Sequence, residues 1–199
     1  MIKIDEPTEN GGARRKRADA ERNLSALLEA AKAIFAISGV DAPAKEITDA
    51  AGLGVGTLYR HFPRRADLIV AVLQHEIDAC AEATIELRAR HTPYDALVRW
   101  IGLYVDLVAT KRGLAGALHS SEPAFAGLHA DVAQRLEPVV ADMLSDARVA
   151  GEIASDLDAR ELLHAIALLC QPVATTGTGD GYSRRMVAVF ADGLRGAAS

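Results

Sequence analysis

Between residues 52 and 62 the chain reads GLGVGTLYRHF. Thr57, Tyr59, Arg60 and His61 put a hydroxyl, a phenol, a guanidinium and an imidazole within five positions. Such donors suit phosphate oxygens, and an arginine can also grip the two acceptors of a guanine edge. Glycines at 52, 54 and 56 lead into this group, although a glycine inside a helix costs roughly 1 kcal/mol relative to alanine. The spacing does not match a dinucleotide-binding G-x-G-x-x-G, and no strand pattern precedes it. A P-loop needs Gly-Lys-Ser/Thr, and Gly56-Thr57 lacks the lysine. A nucleotide-cradling loop is therefore disfavoured, and the donors must be displayed by helices.

The surrounding pattern supplies those helices. Leu24, Leu27, Leu28, Ala31, Ile34 and Phe35 recur at three and four residues, which predicts an amphipathic helix over about 18–38. Ser38-Gly39 ends it. Pro43 opens a short helix over 44–51, with Ile47, Ala50 and Ala51 turned inward. Gly52 stops that helix, and a third one follows over about 55–61. Two short helices joined by AGLG make a helix-turn-helix motif, or else an ordinary helical hairpin. In the first reading, Gly52 takes the left-handed turn conformation. Leu58 and Phe62, four apart, anchor the second helix to the core and leave Thr57, Arg60 and His61 exposed, with Tyr59 at the flank.

After Pro63 the helical pattern continues over 64–90, 94–110, 124–149, 159–175 and 182–196, with a short helix over 113–118. Pro138 predicts a kink in the 124–149 helix. The expected class is all-α with about nine helices and no strand. The expected domains are a disordered basic arm over 1–17, a three-helix unit over 18–65 and a helical body over 66–199.

Charge divides along the same line. The total is −5. Residues 12–65 hold ten Lys/Arg against six acids, whereas residues 66–199 hold eleven against eighteen. A basic third on an acidic body fits contact with a polyanion, or a fluctuation of surface charge. No run of 18 apolar residues predicts a membrane span, and the polar start MIKIDEPTENGG has no signal-peptide core. Cys80 and Cys170 read as reduced, buried thiols of a cytoplasmic protein, with a redox pair as the minor reading.

The stretch from about 20 to 73 resembles the N-terminal domain of the tetracycline-repressor-like (TetR) regulators. The matching segments are AIFAISGVDA, EITDAAGLGVGTLYRHF and RRADLIVAVL, with FADGLRG at 190–196 similar to the final helix of many members. The resemblance implies that Thr57, Tyr59 and His61 touch DNA phosphates or the groove, and that Lys45 and Arg65 clamp the backbone. It places sequence readout at Val55, Gly56 and Arg60, with Arg60 pairing to guanine or simply adding a phosphate contact. His61 has a half-buried structural role as its alternative. Two departures stand out. Gly54 replaces the usual capping serine, and Pro43-Ala44 replaces a threonine-rich helix start. The run RRKR at 14–17 either compensates as a mobile arm on DNA or is a solvated charge run.

The resemblance also implies a homodimer held by the last two helices. Leu162, Ile166, Leu169 and Val173 from one and Val187, Phe190 and Leu194 from the other are the expected contacts. A two-fold dimer implies a palindromic double-stranded DNA operator. The central helices are expected to enclose a small-molecule effector. Trp100, Tyr104, His119, Phe125, Met143, His164 and Cys170 are the candidate lining, each with plain core as its alternative. His119, His129 and His164 lack metal-ligand spacing, and no catalytic set or cofactor motif emerges. The expected function is a ligand-released transcriptional repressor rather than an enzyme. The alternative is a helical small-molecule-binding protein with a vestigial DNA-binding domain.

Overall fold

A computed structural model of the chain describes residues 10–114, 123–125, 128–171 and 180–195. The described residues form eight α-helices and no strand: α1 (Asn10–Ser38), α2 (Ala44–Ala51), α3 (Val55–His61), α4 (Arg65–Arg90), α5 (Pro93–Gly113), α6 (Leu128–Val149), α7 (Ala159–Leu169) and α8 (Asp180–Gly193). A single 3-10 turn covers Pro123–Phe125. The expected helix at 113–118 lies mostly outside the described residues. The chain divides into two compact units, 1–72 and 73–199, with the division falling inside α4. Residues 66–72, expected in the helical body, thus belong to the first unit.

The first unit is built on α1 and α2. Leu27, Leu28, Ala31 and Phe35 on α1, Ile47 on α2, Leu58 on α3 and Leu68, Ile69 and Val72 on α4 are buried apolar side chains of this unit, with Ala42 from the α1–α2 loop. α1 differs from expectation at its start. It begins at Asn10, so RRKR is helical and not an arm that precedes the helix. Gly39 adopts φ 78° and closes α1 through its N–H to the Phe35 carbonyl, 3.1 Å.

The second unit holds a continuous core. Trp100 is fully buried, stacks on Tyr104 at 5.7 Å and donates its indole N–H to the Cys80 carbonyl at 2.9 Å. Leu97, Leu136, Val140, Met143, Leu144, Leu162 and Ile166 pack around this pair. α7 starts with a capping box, in which Asp158 accepts from the Glu161 N–H and Glu161 accepts from the Asp158 N–H. It ends at Leu169, short of the expected 175, with Cys170 as its cap. Pro138 lies inside α6 without ending it. The C-terminal end of α8 is pinned by Tyr94, whose hydroxyl lies 3.2 Å from the Ala191 carbonyl and from the Asp192 carboxylate, while Arg195 covers the Tyr94 ring at 3.9 Å. Cys80 and Cys170 are both buried and share no disulfide, which goes against the minor redox-pair reading. Burial pushes the Cys80 thiol up to about 12, so it is protonated and unreactive at neutral pH.

Candidate nucleic-acid interface

The site is set by how α2 stops. Gly52 takes φ 66°, ψ 29°, a conformation that a residue with a Cβ adopts only under strain. Its N–H bonds the Asp49 carbonyl at 3.2 Å, and the Leu53 N–H bonds the Thr48 carbonyl at 2.9 Å. These two bonds form a Schellman motif that satisfies carbonyls α2 would otherwise leave open. Thr48 is buried and turns its hydroxyl to the Lys45 carbonyl at 3.1 Å, which tightens the preceding turn. The chain then leaves α2 in a fixed direction, and α3 begins at Val55.

α3 has seven residues, too few to hold itself together in water. Gly54 caps it without a side-chain bond, and the Thr57 N–H reaches the Gly54 carbonyl at 2.8 Å. Leu58 supplies the anchor, with 3% of its surface exposed. Phe62 is half-buried and closes the helix through its N–H to the Leu58 carbonyl at 2.8 Å. One side of α3 therefore serves the core, and the other carries the expected donors.

That outer side contains most of the residues singled out from sequence. Val55 and Tyr59 are exposed, at 37% and 54%. Arg60 and His61 are exposed, and Thr57 is half-buried. His61 leans against Phe62, ring centres 6.1 Å apart, and its exposure contradicts the half-buried alternative. A Cβ built on Gly56 would meet no atom within 4 Å, and its backbone is ordinary helix. Folding therefore does not require glycine at 56, and the position leaves α3 bare beside Thr57. In the free chain Arg60 folds back on its own helix, with Nε 3.1 Å from the Gly56 carbonyl and a terminal nitrogen 3.5 Å from the Thr57 hydroxyl. Both contacts are exposed and are readily exchanged for a ligand.

Two basic residues differ from the rest. Lys45 is exposed but paired with Asp49 at 2.6 Å, one turn along α2. Such an i,i+4 surface pair contributes only about 0.3–0.5 kcal/mol, so the amine can exchange partners. Arg65 is built into the fold. Its Nε donates to the Val40 carbonyl and a terminal nitrogen to the Ala42 carbonyl, each at 2.7 Å, and its guanidinium lies over the Phe35 ring at 4.7 Å. Burial lowers its pKa from the usual arginine value, with Asp41 and Tyr59 opposing the shift. Arg65 thus ties α4 to the α1–α2 loop, a role that sequence reading missed. The signal was its place after Pro63 and beside Arg64, which instead pairs outward with Asp67 at 2.6 Å.

The residues expected to line an effector site come together in part: Trp100, Tyr104, Met143 and Cys170 share one buried cluster of the second unit. His164 is exposed on α7, and Phe125 is half-buried in the 3-10 turn. His119 lies outside the described residues. Cys170 borders a shallow cleft, open to solvent and with room for little more than a water molecule. Its other walls are Val105, Asp106, Ala109, Arg112, Ser183 and Arg184.

The expected dimer contacts differ in their burial within the single chain. Leu162, Ile166, Val187 and Leu194 are buried within the single chain, so they serve its own core. Leu169 and Phe190 are half-buried, and Val173 lies outside the described residues. The outward apolar residues of these helices are Leu168 on α7 and Val189 on α8, at 62% and 66% exposure.

Comparison with known proteins fits this geometry. A family model described as bacterial regulatory proteins, tetR family, matches residues 27–72. A second, described as the C-terminal domain of SbtR-like transcriptional regulators, matches residues 92–196. The chain belongs to the TetR family. Among solved structures, a TetR transcriptional regulator from Streptomyces coelicolor superposes with a TM-score of 0.73 at 30% identity, covering 88% of this chain and 99% of that one. A TetR regulator from Mycobacterium vanbaalenii gives 0.69 at 32% identity, over 90% and 98%. A helix-turn-helix-type regulator of Staphylococcus aureus is 33% identical over 84 residues, which is 41% of this chain. The chain spans 44% of that relative's length and 34% of the next. The family and fold are those of transcriptional regulators, not enzymes. The match across 92–196 is more specific than the sequence pattern, which marked that region only as a helical ligand domain.

The two classes of arginine give a direct test. Arg65→Met removes two hydrogen bonds to loop carbonyls and leaves them unpaired, and should cost about 1–3 kcal/mol in urea denaturation. Arg60→Ala should change stability by less than about 0.5 kcal/mol. Equal losses for both would contradict the division into a structural and a displayed arginine.

Proposed function

We propose that the chain is a cytoplasmic transcriptional repressor that binds a palindromic double-stranded DNA operator as a homodimer and is released by a small-molecule effector. The observation that carries this reading is α3, anchored by Leu58 and presenting Val55, Gly56, Thr57, Tyr59, Arg60 and His61 outward. A helix offering donors from one side suits a major groove, with phosphate contacts from Thr57, Tyr59, His61 and Lys45 setting register. Gly56 lets the backbone approach, and Arg60 exchanges its bond to the Gly56 carbonyl for a base edge or a phosphate. Arg65 contributes to this surface by holding the α1–α2 loop. No described helix is long and apolar enough to cross a membrane, which accords with a partner in solution.

The dimer in this reading uses an outward stripe on α7 and α8. His164 and Leu168 lie four apart on α7, and Arg185 and Val189 four apart on α8, and all four are exposed. The stripe lies beside the one that sequence spacing indicated. His164 is thereby reassigned from the effector site to this face.

The effector in this reading enters by widening the shallow cleft between α5 and α8 and meets the charged side chains at its walls. Arg112 donates to the Cys170 carbonyl at 2.5 Å and Arg184 bonds Asp106 across it, so a ligand with a charged group has partners to exchange with. α4 is one unbroken helix from Arg65 to Arg90. A displacement of its C-terminal half is carried to its N-terminal half, and the effector shifts the population between two dimer geometries, one of which fits the operator.

The operator is obtained by selecting duplexes from a random library with the full chain. Affinity for the selected duplex should fall linearly in log–log form as salt rises. Gly56→Leu should weaken binding more than about tenfold, roughly 1.4 kcal/mol, while the melting temperature holds; Gly54→Ser should change neither. A flat salt response with no selected sequence would point to the vestigial-domain alternative. For the dimer, Leu168→Glu with Val189→Glu should give a monomer by sedimentation with its helix content intact. A variant that remains dimeric would place the interface elsewhere.

A further inference from the structure

The run Arg14-Arg15-Lys16-Arg17 has no part in the helix-turn-helix, and its setting is unusual. It lies in the first turns of α1, and no acidic residue occurs between Asn10 and Ala18. Cations near a helix N-terminus oppose the macrodipole, and adjacent like charges repel one another. Packing does not offset this. Among the described side chains of α1 the first buried one is Leu27, and Arg14, Arg15 and Arg17 are exposed. From Arg14 to Leu27 the helix rises about 20 Å, at about 1.5 Å per residue.

The charges further along α1 are treated differently. Arg17 pairs with Glu21 at 3.3 Å, and Arg22 pairs with Asp19. Arg14 and Arg15 make no ion pair or hydrogen bond among the described residues. The cations without an ion pair among the described residues therefore lie toward the start of α1, ahead of its first described buried side chain. Among the described residues nothing offsets the charges of Arg14 and Arg15, and a polyanion would reverse both electrostatic penalties.

We infer that the N-terminal extension of α1 is a second DNA-binding surface, in which Arg14, Arg15, Lys16 and Arg17 bind backbone phosphates of duplex flanking the sequence that α3 reads. The inference rests on the proposed function and adds to it a contact outside the recognition helix. The contact is independent of base sequence, because phosphates carry no sequence information directly. It lengthens the duplex each protomer occupies and steepens the salt dependence. It differs from the arm expected from sequence in being a helix, which fixes where the cations sit relative to the core.

The test uses the full chain and its selected operator, on duplexes with short and with long flanks. Wild type should bind the long duplex at least about tenfold more tightly, since counterion release accompanies each added phosphate contact. In the variant with Arg14→Ala, Arg15→Ala, Lys16→Ala and Arg17→Ala, the two duplexes should bind alike. The log–log salt slope should flatten by about 2–4 per protomer, at about 0.9 per phosphate contact. Lysine at all four positions should restore both. Circular dichroism and the melting temperature report whether the variants fold, and the core from Leu27 onward is untouched. An unchanged slope and flank preference in a folded alanine variant would overturn the inference. So would loss of binding to anionic lipid vesicles without a change on DNA. If wild type binds no duplex at all, the proposed function and the inference that rests on it both fail.

Discussion

Everything proposed for this chain depends on one turn. The left-handed Gly52 ends α2 through two backbone hydrogen bonds and sends the chain into α3 at a fixed angle. α3 is too short to be stable alone, so its existence depends on Leu58 seating in the core that Ile47 and α1 provide. Both demands fall on one side of α3. The other side is released from any structural duty, and there the hydroxyl, phenol, guanidinium and imidazole are displayed. Packing thus determines which residues are available for recognition, before any chemistry of recognition is considered.

The cations of the first unit divide by the same logic. Arg65 has an aromatic face beneath it and two carbonyls before it, so its loss leaves backbone acceptors unpaired. Arg60 and Lys45 hold only exposed local partners, which water or phosphate replaces at small cost. Arg14 and Arg15 are exposed without an ion pair among the described residues. Basic residues close in sequence, and equal in formal charge, therefore run from structural to displayed. Net charge measures the polyanion attraction of a unit but does not say which side chains exert it.

Much of the first unit was legible in the sequence because its signals are local. Gly52 after an apolar-patterned octet, Pro43 before it and the pair Leu58/Phe62 fix α2, α3 and the turn to within a residue. The start of α1 was not legible, since Gly11-Gly12 and the cation run argue against a helix that the structure nevertheless extends to Asn10. The buried and outward faces of α7 and α8 were not separable in the sequence, for a different reason. α7 carries Leu162, Leu163, Ile166, Leu168 and Leu169, apolar on more than one side. Periodicity finds such stripes but cannot say which one its own protomer consumes. The cleft walls Asp106, Arg112, Ser183 and Arg184 come from helices distant in sequence, so spacing held no trace of them.

The central claim is that the outward side of α3 is the surface that meets duplex DNA, while its inward side only holds it in place. Amide hydrogen exchange of the full chain, with and without the selected operator, measures this directly. The account predicts that DNA slows exchange across Val55–His61 and leaves the α5 and α6 core amides unchanged. Exchange over Val55–His61 that is identical with and without bound operator, with slowing elsewhere in the chain, would contradict it.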